Sequence, residues 1–162
     1  MMKIALLIVD MQSVHVQDQV DERKINRACE YINYVAGQLR SKNQVVIHVQ
    51  DVEGMTEDNR ELYAVIPEVH VYDSDLRVAK ESGNAFWNTE LEQVLARHGV
   101  RLVIIAGFAA EQCVLFTYNG AEERGFRPVI LQNGVLSTHS DAVDATYRDR
   151  NVISYPVVEF LI

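Results

Sequence analysis

Six short apolar runs separated by longer amphipathic stretches constrain this chain more than any other feature. The runs are "KIALLIV" (3 to 9), "QVVIHV" (44 to 49), "LRVAK" (76 to 80), "RLVIIA" (101 to 106), "PVILQ" (128 to 132) and "NVIS" (151 to 154). Each is strand-sized and rich in branched residues. The stretches between them carry helical periodicity over about 24 to 41, 89 to 98, 113 to 124 and 139 to 149; on the first, Ile25, Cys29, Ile32 and Leu39 share a stripe. Parallel neighbours need a crossover, so strands alternating with helices imply a mainly parallel sheet covered on both faces. The expected fold class is therefore α/β: a three-layer, six-stranded mainly parallel sheet, order 3-2-1-4-5-6, with helices on both faces. No repeat, low-complexity tract or linker divides the 162 residues, so 1–162 reads as a single domain with one core.

Boundary signals agree with this pattern. Thr89 followed by Glu92 is a candidate capping box, and Gly99 and Gly125 can each supply a left-handed helix end. Residues 51 to 75 have no clear period and read as a pocket wall or a plain surface excursion.

Charge and composition remove several classes of partner. The net charge is −8, with only 15 Lys and Arg and no basic stripe, which argues against nucleic acid. The longest apolar runs are strand-sized, so no bilayer segment is expected and no membrane partner. "MMKIALLIVDMQ" is interrupted by Asp10 and reads as a first strand rather than a signal peptide. Cys29 and Cys113 show neither metal-ligand spacing nor a disulfide framework, which makes a reducing cytoplasm the simplest compartment. Cys29, on its helical stripe, reads as core. The five histidines form no ligand cluster, so no metal and no other cofactor is expected.

Ligands of open parallel sheets bind beyond the carboxyl ends of the strands. Applied here, that rule selects Asp10 after the first strand, Lys80 after the third and Cys113 just beyond the fourth, where "GFAAEQCVLFTY" leaves the strand through a glycine and begins a helix. A free thiol titrates near 8.5; lowering it by ~2 units, roughly 3 kcal/mol, makes the thiolate predominate. An ammonium and a helix N-terminus both act in that direction. Asp10 can take the thiol proton and later return it to a leaving group, while Lys80 offsets the anionic charge. A turn over 107 to 112 that aims the Ala109 and Cys113 amides at one point would form an oxyanion hole. The chemistry implied is acyl transfer through a thioester.

These residues carry a resemblance. "ALLIVDMQ", "KESGNAFWNTEL" and "GFAAEQCVLFT", in that order, make the chain similar to the isochorismatase-like cysteine hydrolases, which include nicotinamidases, N-carbamoylsarcosine amidases and ureidoacrylate hydrolases. The resemblance covers almost the whole chain. It implies a triad of Asp10, Lys80 and Cys113, an oxyanion hole from the Ala109 and Cys113 amides, a cis peptide between Phe108 and Ala109, and a homo-oligomer for which Tyr118 or Tyr147 are contact candidates. His15 stands where the family commonly has a pocket aromatic. Phe86, Trp87 and Phe108 are further pocket candidates, although packing is the default role for Phe86 and Trp87. Ala110, Tyr118 and Asn133 with Gly134 depart from the family pattern, and "VQDVEGMTEDN" lacks the Asp-x-His metal motif of the nicotinamidases. Both metal dependence and nicotinamide are thereby disfavoured.

The expected function is a cofactor-free hydrolase of a small amide, ureide or related C–N compound. Vinyl ether hydrolysis of the isochorismate type, a non-catalytic small-ligand or scaffold protein, and a peroxide sensor built on Cys113 are the alternatives. A receiver-type phosphorylation domain shares the strand–helix alternation but needs clustered acids near the first strand, and "IVDMQ" offers one.

Overall fold

The computed structural model describes residues 2–162. Six strands, β1 (Lys3–Val9), β2 (Val45–Asp51), β3 (Leu76–Lys80), β4 (Val100–Phe108), β5 (Arg127–Leu136) and β6 (Val152–Ile153), form one sheet in the order β3-β2-β1-β4-β5-β6. All five pairings are parallel. The class is as the strand–helix alternation predicts, and the order is the expected 3-2-1-4-5-6.

Six helices accompany the sheet: α1 (Ser13–Val16), α2 (Glu22–Ser41), α3 (Leu91–Arg97), α4 (Cys113–Glu123), α5 (Ala142–Asp149) and α6 (Tyr155–Val158). The period-2 alternation of β1 divides its side chains between two cores. Ile4, Leu6 and Ile8 pack with the α2 stripe, including Cys29 and Ile32, and with Val158 of α6. Ala5, Leu7 and Val9 pack on the opposite face with Leu91 and Leu95 of α3 and Val114 and Ala121 of α4. Every one of these six β1 side chains is essentially removed from water, which is why this strand reads as a continuous apolar run.

Local chemistry sets the helix limits. The Asp21 carboxylate caps α2 by accepting from the Arg23 and Lys24 amides. Gly99 (φ 67°) and Gly125 (φ 81°) end α3 and α4 in the left-handed conformation, as expected. The capping box expected at Thr89 does not form. α3 starts at Leu91, and the Thr89 hydroxyl instead donates to the Ala85 carbonyl while accepting from the Leu91 amide. β5 runs on to Leu136, past a left-handed Asn133 (φ 63°), because its pairing with β4 shifts register between Ile105 and Gly107.

Residues 52–75 carry a 3-10 turn at Arg60–Tyr63 and a single antiparallel bridge between Gln12 and Val65. Beneath them Asp75 joins Arg40 through two hydrogen bonds (2.8 and 2.7 Å) and His48 Nε2 at 2.9 Å. His48 is thus a buried structural histidine, as its mid-strand position suggests. No described helix is long and apolar enough to cross a membrane. Tyr118 and Tyr147, the subunit-contact candidates, each make a hydrogen bond within the chain: their hydroxyls accept from the Asn151 and Asn133 amides at 3.2 and 2.7 Å.

Candidate active site

The strand ends meet where β1 and β4 lie side by side at the sheet's switch point. Asp10 leaves β1 in the left-handed region (φ 51°), its amide donating to the Val49 carbonyl at 3.0 Å. That conformation is strained for a residue with a side chain, and it directs a carboxyl that is 1% exposed into the crevice. Gly107 sits opposite with φ 115°, and a Cβ there would collide with the Val9 carbonyl. The glycine in "GFAAEQC" is therefore a requirement of close backbone approach. The Phe108–Ala109 peptide is cis, as the resemblance implies.

Lys80 ends β3, paired in register with Asp51 of β2, and its side chain is fully buried. Its Nζ donates to Asp10 Oδ2 at 3.0 Å and lies 3.6 Å from Cys113 Sγ. Residues from three distant parts of the chain are thus brought together by one ammonium. Cys113 is the first residue of α4 and only partly buried. Among the described residues, neither the Ala109 nor the Cys113 amide donates to any carbonyl in the turns and caps, whereas Ala110, Gln112 and Val114 all do.

Electrostatics correct one expectation. Burial pushes the Cys113 thiol up to about 12, the Asp10 carboxylate adds to the rise, and Lys80 only partly opposes it. The shift favours the thiol over the thiolate, because beside a carboxylate a second buried anion is penalised. Burial likewise raises Asp10 despite the attraction of Lys80. For Lys80, burial acts downward, but the facing carboxylate and sulfur outweigh it and the pKa rises, so the ammonium is retained.

The crevice over these groups measures about 270 Å³, at the small end for organic ligands. His15 and Phe108 line it as expected, their rings stacked with centroids 6.2 Å apart. Phe86 and Trp87 do not. Phe86 is turned into the core and stacks on Phe126, and Trp87 lies 58% exposed outside the crevice.

The sequence reading did not single out several residues of the crevice, among them Ser82, Gly83 and Gln112. Asp51 and Glu53 add carboxylates to the wall, and Phe116 of α4, 48% exposed, forms part of the rim. Gln12, fully buried, clamps the wall. Its amide donates to the Asp51 and Tyr63 carbonyls (2.9 and 2.7 Å) and its oxygen accepts from the Asp51 amide (2.8 Å). The strand-end rule that singled out Asp10 applies equally to Asp51 at the end of β2. The fold also brings donor atoms of Asp10, His15 and Asp51 within 4.8 Å of one another, a spacing that a cation can bridge and that no sequence cluster announced.

A six-stranded all-parallel sheet in the order 3-2-1-4-5-6 with helices around it defines a class of open α/β domains. Within that class the chain belongs to the isochorismatase family, the sequence profile of the Isochorismatase domain matching residues 4–155. The isochorismatase family protein YrdC of Bacillus subtilis is 25% identical over 155 residues, covering 93% of this chain and 83% of its own. An isochorismatase family protein from Burkholderia thailandensis superposes with a TM-score of 0.87 at 22% identity, over 98% of this chain and 94% of its own. N-carbamoylsarcosine amidase from Thermoplasma acidophilum gives 0.81 at 21% identity, over 95% and 97%.

Proposed function

We propose that the protein hydrolyses a small amide, ureide or related C–N compound through a thioester on Cys113, with Asp10 as base and acid and Lys80 as the fixed countercharge. One observation carries this reading: a single buried ammonium touches both the Asp10 carboxyl (3.0 Å) and the Cys113 sulfur (3.6 Å) on the crevice floor. As substrate enters, the thiol proton passes to the Asp10 carboxylate and the sulfur attacks the carbonyl carbon. The tetrahedral oxyanion accepts from the Ala109 and Cys113 amides, which the fold leaves without acceptors. Collapse breaks the C–N bond, and the departing nitrogen takes the proton from Asp10. Water then attacks the thioester, giving one proton to Asp10 and releasing the acid. That proton returns to the sulfur, and the free enzyme is restored.

The high thiol pKa fits this sequence. Proton and substrate move together, and no resting thiolate is exposed to oxidants. A second reading draws on the raised Asp10 pKa: Asp10 protonates a vinyl ether and the thiol is a spectator. Screening small amides, ureides and vinyl ethers against wild type, Cys113→Ala and Asp10→Asn separates the two. Thioester chemistry predicts that either substitution lowers kcat by at least about 10³-fold. The second reading predicts loss with Asp10→Asn alone. Full turnover by Cys113→Ala on an amide ends the thioester proposal.

A further inference from the structure

We propose that the crevice selects substrates bearing an ammonium group, held by Asp51 and Glu53, and turns away substrates bearing a carboxylate. The inference rests on the hydrolase reading of the same crevice and names the substrate class within it.

Three carboxyl groups line the crevice, those of Asp10, Asp51 and Glu53. The single lysine or arginine among the lining residues is Lys80, whose side chain is fully buried and committed to Asp10 at 3.0 Å. It cannot turn to meet an incoming anion without abandoning that ion pair. A carboxylate-bearing ligand would face Asp51 and Glu53 with no free lysine or arginine in the lining to pair with. A dicarboxylate would meet this repulsion twice.

An ammonium meets the opposite situation. One Asp51 oxygen accepts from the Glu53 amide at 2.9 Å. The other lies 3.2 Å from His15 Nε2, but out of alignment for a hydrogen bond, so that ring nitrogen is buried without a partner. Asp10 Oδ1, in a side chain 99% removed from water, also has none. The crevice thus holds a buried carboxylate oxygen and a ring nitrogen that the fold leaves without partners, and buried polar groups are normally partnered. Phe108 and Phe116 supply aromatic faces beside it. The overall charge of −8 extends the same sign of field outward. A divalent metal drawn to Asp10, His15 and Asp51 would instead set two positive charges against the Lys80 ammonium.

The test compares ammonia release from three series of primary amides matched in length, ω-amino, n-alkyl and ω-carboxy, at pH 7. The enzymes are wild type, Asp51→Asn, Glu53→Gln and Cys113→Ala. The ω-amino series should exceed the ω-carboxy series in kcat/KM by at least about tenfold. Either wall substitution should shrink that ratio, and so should 0.5 M NaCl, by screening, on the order of severalfold. Cys113-dependent hydrolysis with equal or reversed charge preference overturns the inference and leaves the hydrolase reading standing. If no series is hydrolysed through Cys113, the amide reading fails. Charge preference is then read from protection of Cys113 against iodoacetamide: stronger protection by ω-amino amides sustains the inference, and equal or weaker protection overturns it. Turnover or protection that requires added zinc or magnesium and disappears with EDTA also overturns it.

Discussion

At Cys113, two neighbours with opposite charge compete over one sulfur, and the outcome can be read by chemical modification. The thiol is pushed up to about 12 by burial and by the Asp10 carboxylate, with Lys80 opposing. In Asp10→Asn the carboxylate is gone and the ammonium remains, so the thiol should titrate lower. We expect Asp10→Asn to be alkylated by iodoacetamide roughly tenfold faster than wild type at pH 8 while losing turnover. Reactivity and activity thus move in opposite directions, and a slower alkylation of the variant would show that Asp10 does not govern the sulfur. The same contrast explains why sequence could point to Cys113 but not to the direction of its pKa shift. Position follows from the strand-end rule, whereas pKa depends on how much water the fold removes, and "GFAAEQC" does not report that.

Among the elements, the end of β2 depends on a side chain from the turn between β1 and α1. Gln12 makes three hydrogen bonds with the Asp51 and Tyr63 backbones. Replacing it with Met keeps the volume but removes the partner of the Asp51 amide and carbonyl and the shorter of two bonds to the Tyr63 carbonyl, in a partly buried setting. A loss of about 2–3 kcal/mol is expected, measured as a fall in the urea midpoint. The wall bearing Asp51 and Glu53 should loosen with it, raising KM more than it lowers kcat. These elements also mark how far the sequence was legible. The six strands announce themselves through period, and the strand-end rule picks out Asp10, Lys80 and Cys113 by position. Asp51, Glu53 and Gln12 do not, because the stretch after β2 has no repeat and Gln12 acts through partners 39 and 51 residues away. Phe86 and Trp87 failed as pocket residues for the converse reason: their motif places them near the site, and only packing decides which way a ring faces.

For the whole molecule, acid stability should hinge on a cluster remote from the crevice. Burial lowers the pKa of His48, outweighing the pull of Asp75. For Asp75 burial acts upward, but hydrogen bonds from Arg40, the Tyr72 amide and His48 hold the carboxylate below its usual range. With both folded pKa values below the unfolded ones, the unfolded chain binds more protons as pH falls and stability declines. The histidine contribution is complete above about 6.5 and fades below it; the Asp75 contribution fades below about 3.9. Melting temperature should therefore drop in two stages on acidification. His48→Asn should be less stable at pH 7.5 and should lack the upper stage. An unchanged upper stage in that variant would move its origin elsewhere.

The contact of Gly107 with the Val9 carbonyl fixes more than a turn. Because two main chains abut there with no side chain between them, the acid and the sulfur are mounted on a single anvil that leaves no space for added bulk. Novelty in what this enzyme accepts must then arise at the periphery, at Glu53, Ser82 and Phe116. A lineage or an engineer can retailor the mouth many times over while the hearth beneath it stays the same.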